Sequence, residues 1–240
     1  MKLVTQGRLA RCILLSLRTP AQAVLPLVPE RLSLLTYGPW AFWNVVISRI
    51  EGLRPWGIPA RLGLDYEHTA YRLQVQARTD EGVEVEGLYF LRSDADSWTI
   101  GSVGDWCSDF RFHVSRIESS SRGGLEGHRV RTRHGEADLD LIARPGRPAP
   151  PDSCFDTPER AAAFLKYQPL GLCPDASGRW LRVARVIRDE GLWRERDLCL
   201  EMFRSTFFSR LGLPDPVLER ATWVDPLDYR WELGHRILLG

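Results

Sequence analysis

Residues 66–78, YEHTAYRLQVQAR, and 83–93, VEVEGLYFLRS, form a pair of segments joined by Thr79-Asp80-Glu81-Gly82. Both segments alternate apolar with other residues, which is the period of a half-buried β-strand, and the glycine-containing link is typical of a hairpin turn. The residues that share the apolar face are Thr69, Tyr71, Leu73, Val75 and Ala77 in the first segment and Val83, Val85, Gly87, Tyr89 and Leu91 in the second. The pattern predicts an antiparallel hairpin that buries Tyr71, Leu73 and Tyr89 together.

The register of this hairpin follows from the same alternation. A slip of one residue would turn one apolar face outward, so we expect a register that keeps both faces together, such as Val75 opposite Val85. The parity of the first strand then places Glu67 on the apolar face, beside Thr69 and Tyr71.

The rest of the chain predicts further strands and little helix. Further strands are expected at 11–18, 32–35, 40–50, 110–119, 128–133, 137–143, 180–187, 196–203 and 221–233, the last broken by Pro226. Short helices are expected after Thr19-Pro20 and after Asp156 or Thr157, where a cap residue precedes a proline. These elements favour an α+β fold, mainly an antiparallel curved sheet or barrel with a few short helices, in a single domain over residues 1–240.

Composition excludes several classes of protein. The 240 residues are 44% hydrophobic and 26% charged with a net charge of +1, which argues against disorder and against a nucleic-acid surface. No apolar run approaches the roughly 20 residues that span a bilayer, so no membrane partner is expected. Five scattered cysteines without CxxC spacing, and no signal peptide, predict a reducing cytoplasm. A homo-oligomer is left open.

Five pieces of sequence, taken in order, carry a family resemblance. They are LRTP at 17–20, LVPERL at 27–32, AFWNVV at 41–46, GLRP at 52–55 and GLYFLRSD at 87–94. Their order and spacing resemble the YqjF-like family of uncharacterised proteins, which is similar to the acetoacetate decarboxylase-like superfamily. The resemblance covers most of the chain, more loosely after residue 145. It implies a bent antiparallel sheet that closes over a ligand cavity.

The resemblance also removes one mechanism. In acetoacetate decarboxylase a lysine forms a Schiff base and a second lysine lowers its pKa. Only Lys2 and Lys166 are lysines among the 32 basic residues of this chain. Matching the segment 108–112 to the one that follows the lysine pair puts Asp105 and Trp106 at the pair's positions, and neither residue can form an imine.

The same matching nominates site residues. Glu67 falls on a carboxylate of the decarboxylase site, Asn44 takes the place of a second carboxylate, and Arg11 lies near a substrate-binding arginine. A carboxylic acid on an apolar face is a candidate acid or base, since burial raises its pKa, and Asp105 is a second candidate. The alternatives are a structural carboxylate paired with arginine at Glu67 and a turn residue at Asp105.

The remaining chemistry-bearing residues give weaker signals. His68 and His113 lie in predicted strands, where each is either an acid–base group or a structural residue. The five histidines show no HxH or HExxH spacing, and no GxGxxG or Walker sequence is present, so no metal or other cofactor is predicted. Tryptophans such as Trp106 either fill the core or line an apolar pocket.

Two functional hypotheses remain. In the first, the protein binds a small organic, keto-acid-like compound in a β-sheet cavity and transforms it by carboxylate acid–base chemistry without a Schiff-base lysine. In that hypothesis Glu67 and Asp105 are catalytic, and Asn44, Arg11 and Trp106 bind the substrate. In the second, the same cavity serves a non-catalytic small-molecule-binding or interaction protein. A cavity where Glu67 and Asp105 converge would favour the enzyme, and a purely apolar pocket would favour the binder.

Overall fold

A computed structural model describes residues 3–146 and 152–240, without the side chains of residues 103 and 105–107. The strands are β1 Leu3–Pro20, β2 Ser33–Leu34, β3 Thr36–Tyr37, β4 Trp40–Pro55, β5 Leu64–Arg78, β6 Glu84–Ala95, β7 Phe112–Val114, β8 Arg116–Arg122, β9 Leu125–Arg131, β10 Leu139–Pro145, β11 Leu170–Pro174, β12 Trp180–Arg188, β13 Glu195–Ser205, β14 Val217–Val224 and β15 Leu227–Leu238. The α-helices are α1 Ala21–Val24, α2 Trp98–Cys107, α3 Pro158–Phe164 and α4 Thr206–Arg210.

The predicted hairpin is formed by β5 and β6. The two strands pair antiparallel, with Leu73 directly opposite Tyr89, and both residues are buried in one core together with Tyr71. The expected pairing of Val75 with Val85 is wrong by two residues, because Val75 lies opposite Gly87. The turn includes Val83, whose carbonyl accepts from the Thr79 amide, and the added turn length shifts the register by two residues, which keeps the face near the turn intact. Farther from the turn, a bulge between Tyr71 and Arg72 places Arg92 rather than Leu91 opposite Tyr71.

Seven strands close into a barrel. Around the ring each strand pairs with the next in the order β4, β5, β6, β11, β12, β15 and β1, and β1 returns to β4. Six of the seven contacts are antiparallel, and β6 with β11 is the parallel one. A ring of about this size encloses an interior that side chains nearly fill or that holds one small ligand.

The long strand β1 belongs to the barrel and to a second sheet. Its first half, from Leu3 to Leu9, pairs with β15, and its second half, from Cys12 to Arg18, pairs with β14. From β14 the second sheet continues through β13, β10, β9 and β8. The largest apolar core includes outward residues of β1, β4 and β5 together with residues of β8, β9 and β10. The barrel wall is therefore covered on its outside by protein.

Helix α2 was not predicted, and its sequence explains why. WTIGSVGDWC contains two glycines, which disfavour helix, and shows no clear apolar stripe. A Cβ atom on Gly101 would lie 2.4 Å from Val114, and one on Gly104 would lie 2.7 Å from Phe112. The glycines let the helix lie against β7, so its stability comes from packing, with Ser97 accepting from the Ile100 amide as the N-cap.

Other element boundaries differ in smaller ways. Thr157 caps α3 as predicted, but Thr19 does not cap α1 and instead accepts a hydrogen bond from the Trp43 indole at 3.0 Å. Strand β1 starts at Leu3 rather than at residue 11 because it pairs with β15 over that length. Strand β11 was missed, and the segment 110–119 is divided between β7 and β8.

Candidate functional site

Alternation along β1, β4 and β5 creates two different polar faces on one set of strands. The inner face turns toward the barrel interior and the outer face turns toward the second sheet. The inner cross-strand rows are Cys12, Ser48 and His68, and then Ser16, Asn44 and Arg72. The matching outer row is Arg11, Arg49 and Glu67. Residues that are adjacent in sequence therefore face different environments, one the barrel interior and the other the second sheet.

The inner face lines a cavity of about 70 Å³, room for about five water molecules or a ligand of that size. All seven barrel strands contribute to its wall, as does the segment that leads from α3 into β11. Its aromatic lining residues are Phe90, Phe110, Tyr167, Trp193, Tyr229 and Trp231. Among the described residues, the charged ones in the wall are arginines, Arg72, Arg185 and Arg188, without a carboxylate.

Arg72 is the most unusual of these arginines. Arg72 is 4% exposed. Its guanidinium donates to the Asn44 side chain and lies 5.4 Å from the Phe90 ring centroid. No carboxylate within residues 3–146 or 152–240 forms an ion pair with it. Burial lowers its pKa, with Tyr167 and Cys12 acting in the opposite direction. A buried guanidinium without a counter-ion is costly, and a bound anion would offset that cost.

A second cation and a phenol add unpaired donors to the same wall. Arg188 lies 3.4 Å from the Trp193 ring centroid and donates through Nε and Nη2 to the exposed Glu190, while its Nη1 is buried without a partner in the described chain. The Tyr229 hydroxyl is also buried and unpaired, and burial raises the pKa of that phenol well above its ordinary value. These groups supply hydrogen-bond donors for an oxygen-rich ligand.

His68 is the third polar group of the cavity. It is 3% exposed, its Nδ1 lies 3.4 Å from Ser48 Oγ, and its buried Nε2 has no partner among the residues the structure describes. Burial first, and the charge of Arg72 and the nearby His128 after it, lower the pKa of this imidazole to about 3. The ring is therefore neutral at pH 7.

Glu67 is buried as predicted, but on the outer face. Its carboxylate accepts from Arg11 at 2.5 Å, from Arg49 at 3.4 Å and from Ser119 Oγ at 3.0 Å. Ser119 belongs to β8, so this cluster joins the barrel to the second sheet. The tight arginine partner matches the structural alternative that the sequence had left open for this carboxylate.

A buried histidine extends this outer cluster. Ser119 Oγ lies 2.8 Å from His128 Nδ1, and His128 Nε2 lies 2.8 Å from Thr69 Oγ1. Since the serine proton is directed at Glu67, Nδ1–H of His128 donates to Ser119 and Nε2 accepts from Thr69, a tautomer assigned from the network. Both ring nitrogens of His128 and the Glu67 carboxylate are therefore paired, while Arg11 Nε is buried without a partner in the described chain.

The other predicted site residues are divided among three places. Arg11 meets Glu67 on the outer face, and Asn44 lies on the inner face beside Arg72, so the expectation that Glu67 and Asn44 share a pocket is wrong. The reason is parity, because Asn44 lies opposite Arg72 and Glu67 opposite Arg49. Asp105 and Trp106 fall in α2, and their side chains lie outside the described residues. The catalytic roles assigned to Glu67 and Asp105 stay predictions.

The sequence carried a signal for the cavity that was not used. The residues of β5 from Tyr66 to Val75 are all buried, including His68, Arg72 and Gln74, which a half-exposed strand would present to water. Polar residues at every second position are typical of a solvent face, and nothing in one strand reveals that β11, β12 and β15 close over it.

Over the part of the chain that the structure describes, the cavity wall contains neither a lysine nor a metal-ligating cluster. No cluster of three or more histidine, cysteine or acidic side chains suited to a metal occurs within the described ranges. Lys166 is the lysine that the structure describes, and it is exposed and outside the cavity wall, whereas Lys2 lies outside the described residues. No described helix is long and apolar enough to cross a membrane.

Comparison with solved structures places the fold in the acetoacetate decarboxylase-like class. An acetoacetate decarboxylase-like enzyme from Sphingomonas wittichii RW1 is 14% identical with a TM-score of 0.61, over 99% of this chain and 92% of that one. Acetoacetate decarboxylase from Legionella pneumophila is 14% identical with a TM-score of 0.57, over 98% and 87%. The enduracididine biosynthesis enzyme MppR, complexed with pyruvate, is 11% identical with a TM-score of 0.56, over 100% and 91%.

Sequence comparison supplies the family. Residues 6–168 match DUF2071, a family described as an uncharacterized conserved protein, and the chain belongs to this family. No curated protein matches the chain. The expected resemblance and the expected fold class are both confirmed, and the identities of 11–14% support the fold alone.

Proposed function

We propose that this protein binds a small organic acid of the 2-oxo acid class inside the barrel, without forming a Schiff base. The observation that carries the proposal is Arg72, a buried guanidinium in the wall of a small aromatic cavity whose described lining holds no carboxylate. Arginine is the side chain best suited to a carboxylate, since its planar fork donates two parallel hydrogen bonds.

The size and the wall of the cavity narrow the ligand class. A volume of about 70 Å³ suits an acid of a few carbon atoms, and the aromatic rings suit a short apolar portion. The unpaired donors of Arg188 and Tyr229 suit a second oxygen, such as a keto group. Pyruvate combines these features and is the molecule bound in the MppR structure, so it is the natural probe.

Both functional hypotheses include this binding step. Catalysis by a converging pair of carboxylates has no support in the cavity, because Glu67 lies on the outer face. A binding protein and an enzyme that uses other groups remain distinguishable by turnover. In this proposal Asn44 acts indirectly, because its side chain accepts from Arg72 and fixes the guanidinium.

Titration with pyruvate tests the proposal. The fluorescence of Trp193 and Trp231 and isothermal calorimetry should both report saturable binding, and acetone, which has no carboxylate, should bind far more weakly. Arg72→Met should weaken pyruvate binding by about 100-fold or more, since it removes the charge partner, and Arg72→Lys should weaken it less.

The matched control is Arg11→Met, which removes an arginine from the outer face of the same sheet. That variant should bind pyruvate as the wild type does. Borohydride added with pyruvate should leave no reduced adduct near residues 100–110. Equal pyruvate affinity of the wild type and Arg72→Met, or no saturable binding at millimolar pyruvate, would show that the proposal is wrong.

A further inference from the structure

The cavity wall contains an imidazole that is neutral at pH 7 and can accept a proton, that of His68. Its Nε2 is buried and unpaired within the described part of the chain, and its ring lies 5.6 Å from the Phe112 ring and 6.1 Å from the Tyr66 ring, centroid to centroid. A buried polar atom with no protein partner is rare and calls for an explanation, and one explanation is a ligand.

The surroundings of His68 decide which nitrogen is free to accept a proton. Ser48 Oγ lies 3.4 Å from Nδ1, so the tautomer that carries hydrogen on Nδ1 donates to Ser48 and leaves the Nε2 lone pair open. The neutral ring is the form present at pH 7, because burial and Arg72 both lower the pKa of His68. An anion held by Arg72 would cancel the second of these causes and strengthen the base.

Arg72, Arg188 and Tyr229 line the same cavity as His68, and the positive charge of Arg72 acts directly on the His68 imidazole by lowering its pKa. Arg72 and Arg188 are both close enough to the Cys12 thiol to lower its pKa, although burial outweighs them and raises that pKa to about 12. Cys12 lies opposite Ser48, and Ser48 lies opposite His68. The two guanidiniums thus reach toward the cross-strand row that ends at His68, and Tyr229 lies in the same cavity wall.

We propose that His68 is the general base that enolises a 2-oxo acid held by Arg72, an inference that rests on the function proposed above. The C3–H bond of the acid breaks and its proton passes to His68 Nε2. The electron pair of that bond forms the C2=C3 double bond, and the carbonyl π pair moves to oxygen. Donors of Tyr229 and Arg188 stabilise the enolate oxygen. The proton held by His68 exchanges with solvent, and transfer of a solvent-derived proton from His68 to C3 then completes an exchange that needs no cofactor.

Exchange of hydrogen for deuterium tests this role directly. Pyruvate incubated with the protein in D₂O should lose its methyl proton NMR signal faster than in buffer alone, as deuterium from solvent returns to C3 through His68. His68→Gln should slow the protein-catalysed exchange by about 100-fold or more while pyruvate binding changes little, since general bases typically contribute that much. The pyruvate titration of His68→Gln also confirms that the variant is folded.

The chain offers a matched control and a second variant. His128→Gln removes the other deeply buried histidine, on the outer face, and should leave the exchange rate unchanged. Tyr229→Phe keeps the ring and removes the hydroxyl, so exchange should slow while the base remains.

The outcomes separate this inference from the proposed function. Pyruvate bound without acceleration of exchange, or exchange that persists in His68→Gln, would overturn the role of His68 and leave the binding function intact. Absence of pyruvate binding would overturn both.

Discussion

The inner and outer faces of β4 and β5 make opposite use of buried charge. On the outer face Glu67 is surrounded by Arg11, Arg49 and Ser119, so each charge has a partner. On the inner face Arg72 has an amide and aromatic rings for neighbours and no described carboxylate. Paired buried charges are typical of a structural join, whereas an unpaired one with unpaired donors beside it is typical of a binding site.

The comparison also separates two buried histidines. His128 has both ring nitrogens bonded, to Ser119 and Thr69, while His68 has Nε2 open in the cavity wall. Burial lowers the pKa of each to about 3, so their protonation states are the same and their contacts differ. A lowered pKa alone therefore does not identify a functional histidine. A ring nitrogen without a partner in the described chain, as at His68, does. The predictions below test this division.

The largest change in the free energy of unfolding is expected when the pH is lowered. Both histidines have a folded-state pKa below the ordinary 6.5, so between about pH 6.5 and about pH 3 the unfolded chain binds protons that the folded protein excludes. Their stabilising contribution is complete above pH 6.5 and is lost as pH falls, by about 1.4 kcal/mol per pH unit for each histidine. Urea denaturation should show a loss of about 4 kcal/mol between pH 7 and pH 5.

Single variants measure how much of this change in the free energy of unfolding with pH comes from each face. His68→Gln and His128→Gln should each remove about half of it. Saturating pyruvate should reduce the pH dependence of the free energy of unfolding that is due to His68. It should leave the pH dependence that is due to His128 unchanged, because of these two histidines His68 is the one that faces the cavity. An equal effect of pyruvate on both parts would contradict the separation of the two faces.

The next effect concerns the outer cluster. Glu67→Gln leaves Arg11 without its carboxylate, whereas Arg49 keeps Glu51 and Asp65. The free energy of unfolding should fall by about 3 kcal/mol, a value at the lower end because Arg49 is partly exposed and keeps other partners. Urea denaturation at pH 7 measures it, and pyruvate affinity should stay unchanged. A Glu67→Gln variant of normal stability that no longer binds pyruvate would reverse the assignment and return Glu67 to the site.

A smaller loss is expected at the link between Glu67 and His128. Ser119→Ala removes the donor to Glu67 and the acceptor for His128, which should lower the free energy of unfolding by about 1 kcal/mol. Ser121→Ala on the same strand is the control, since Ser121 donates to Glu126 in an exposed position and should have almost no effect. Equal losses in the two variants would show that the buried link does not matter.

The smallest change in stability is expected for the residue that matters most to binding. Arg72→Met removes an uncompensated buried charge, which offsets the loss of its hydrogen bond to Asn44, so the free energy of unfolding should stay within about 1 kcal/mol of the wild type. Thermal or urea denaturation without ligand measures it. A loss as large as that of Glu67→Gln would mean that Arg72 is a structural residue.

Local alternation was enough to predict the central hairpin and to bury Tyr71, Leu73 and Tyr89 on one face, as β5 and β6 confirm. The same alternation correctly placed Glu67 beside Thr69. It did not predict helix α2, because the two glycines that lower its helix propensity are there for close packing against Val114 and Phe112. Contacts between distant segments leave no periodic pattern in either of them.

The sequence by itself determined most of the strand pattern, the side of β5 on which each residue lies, and the restriction of lysine to Lys2 and Lys166. Which side encloses a cavity was decided by tertiary structure, through the return of β1 to β4 and the closure by β11, β12 and β15. Parity assigns a residue to a face but carries no information about what covers that face. For this reason Glu67 was the candidate from the sequence, and Arg72 and His68 became the candidates only when the barrel was seen to close over them.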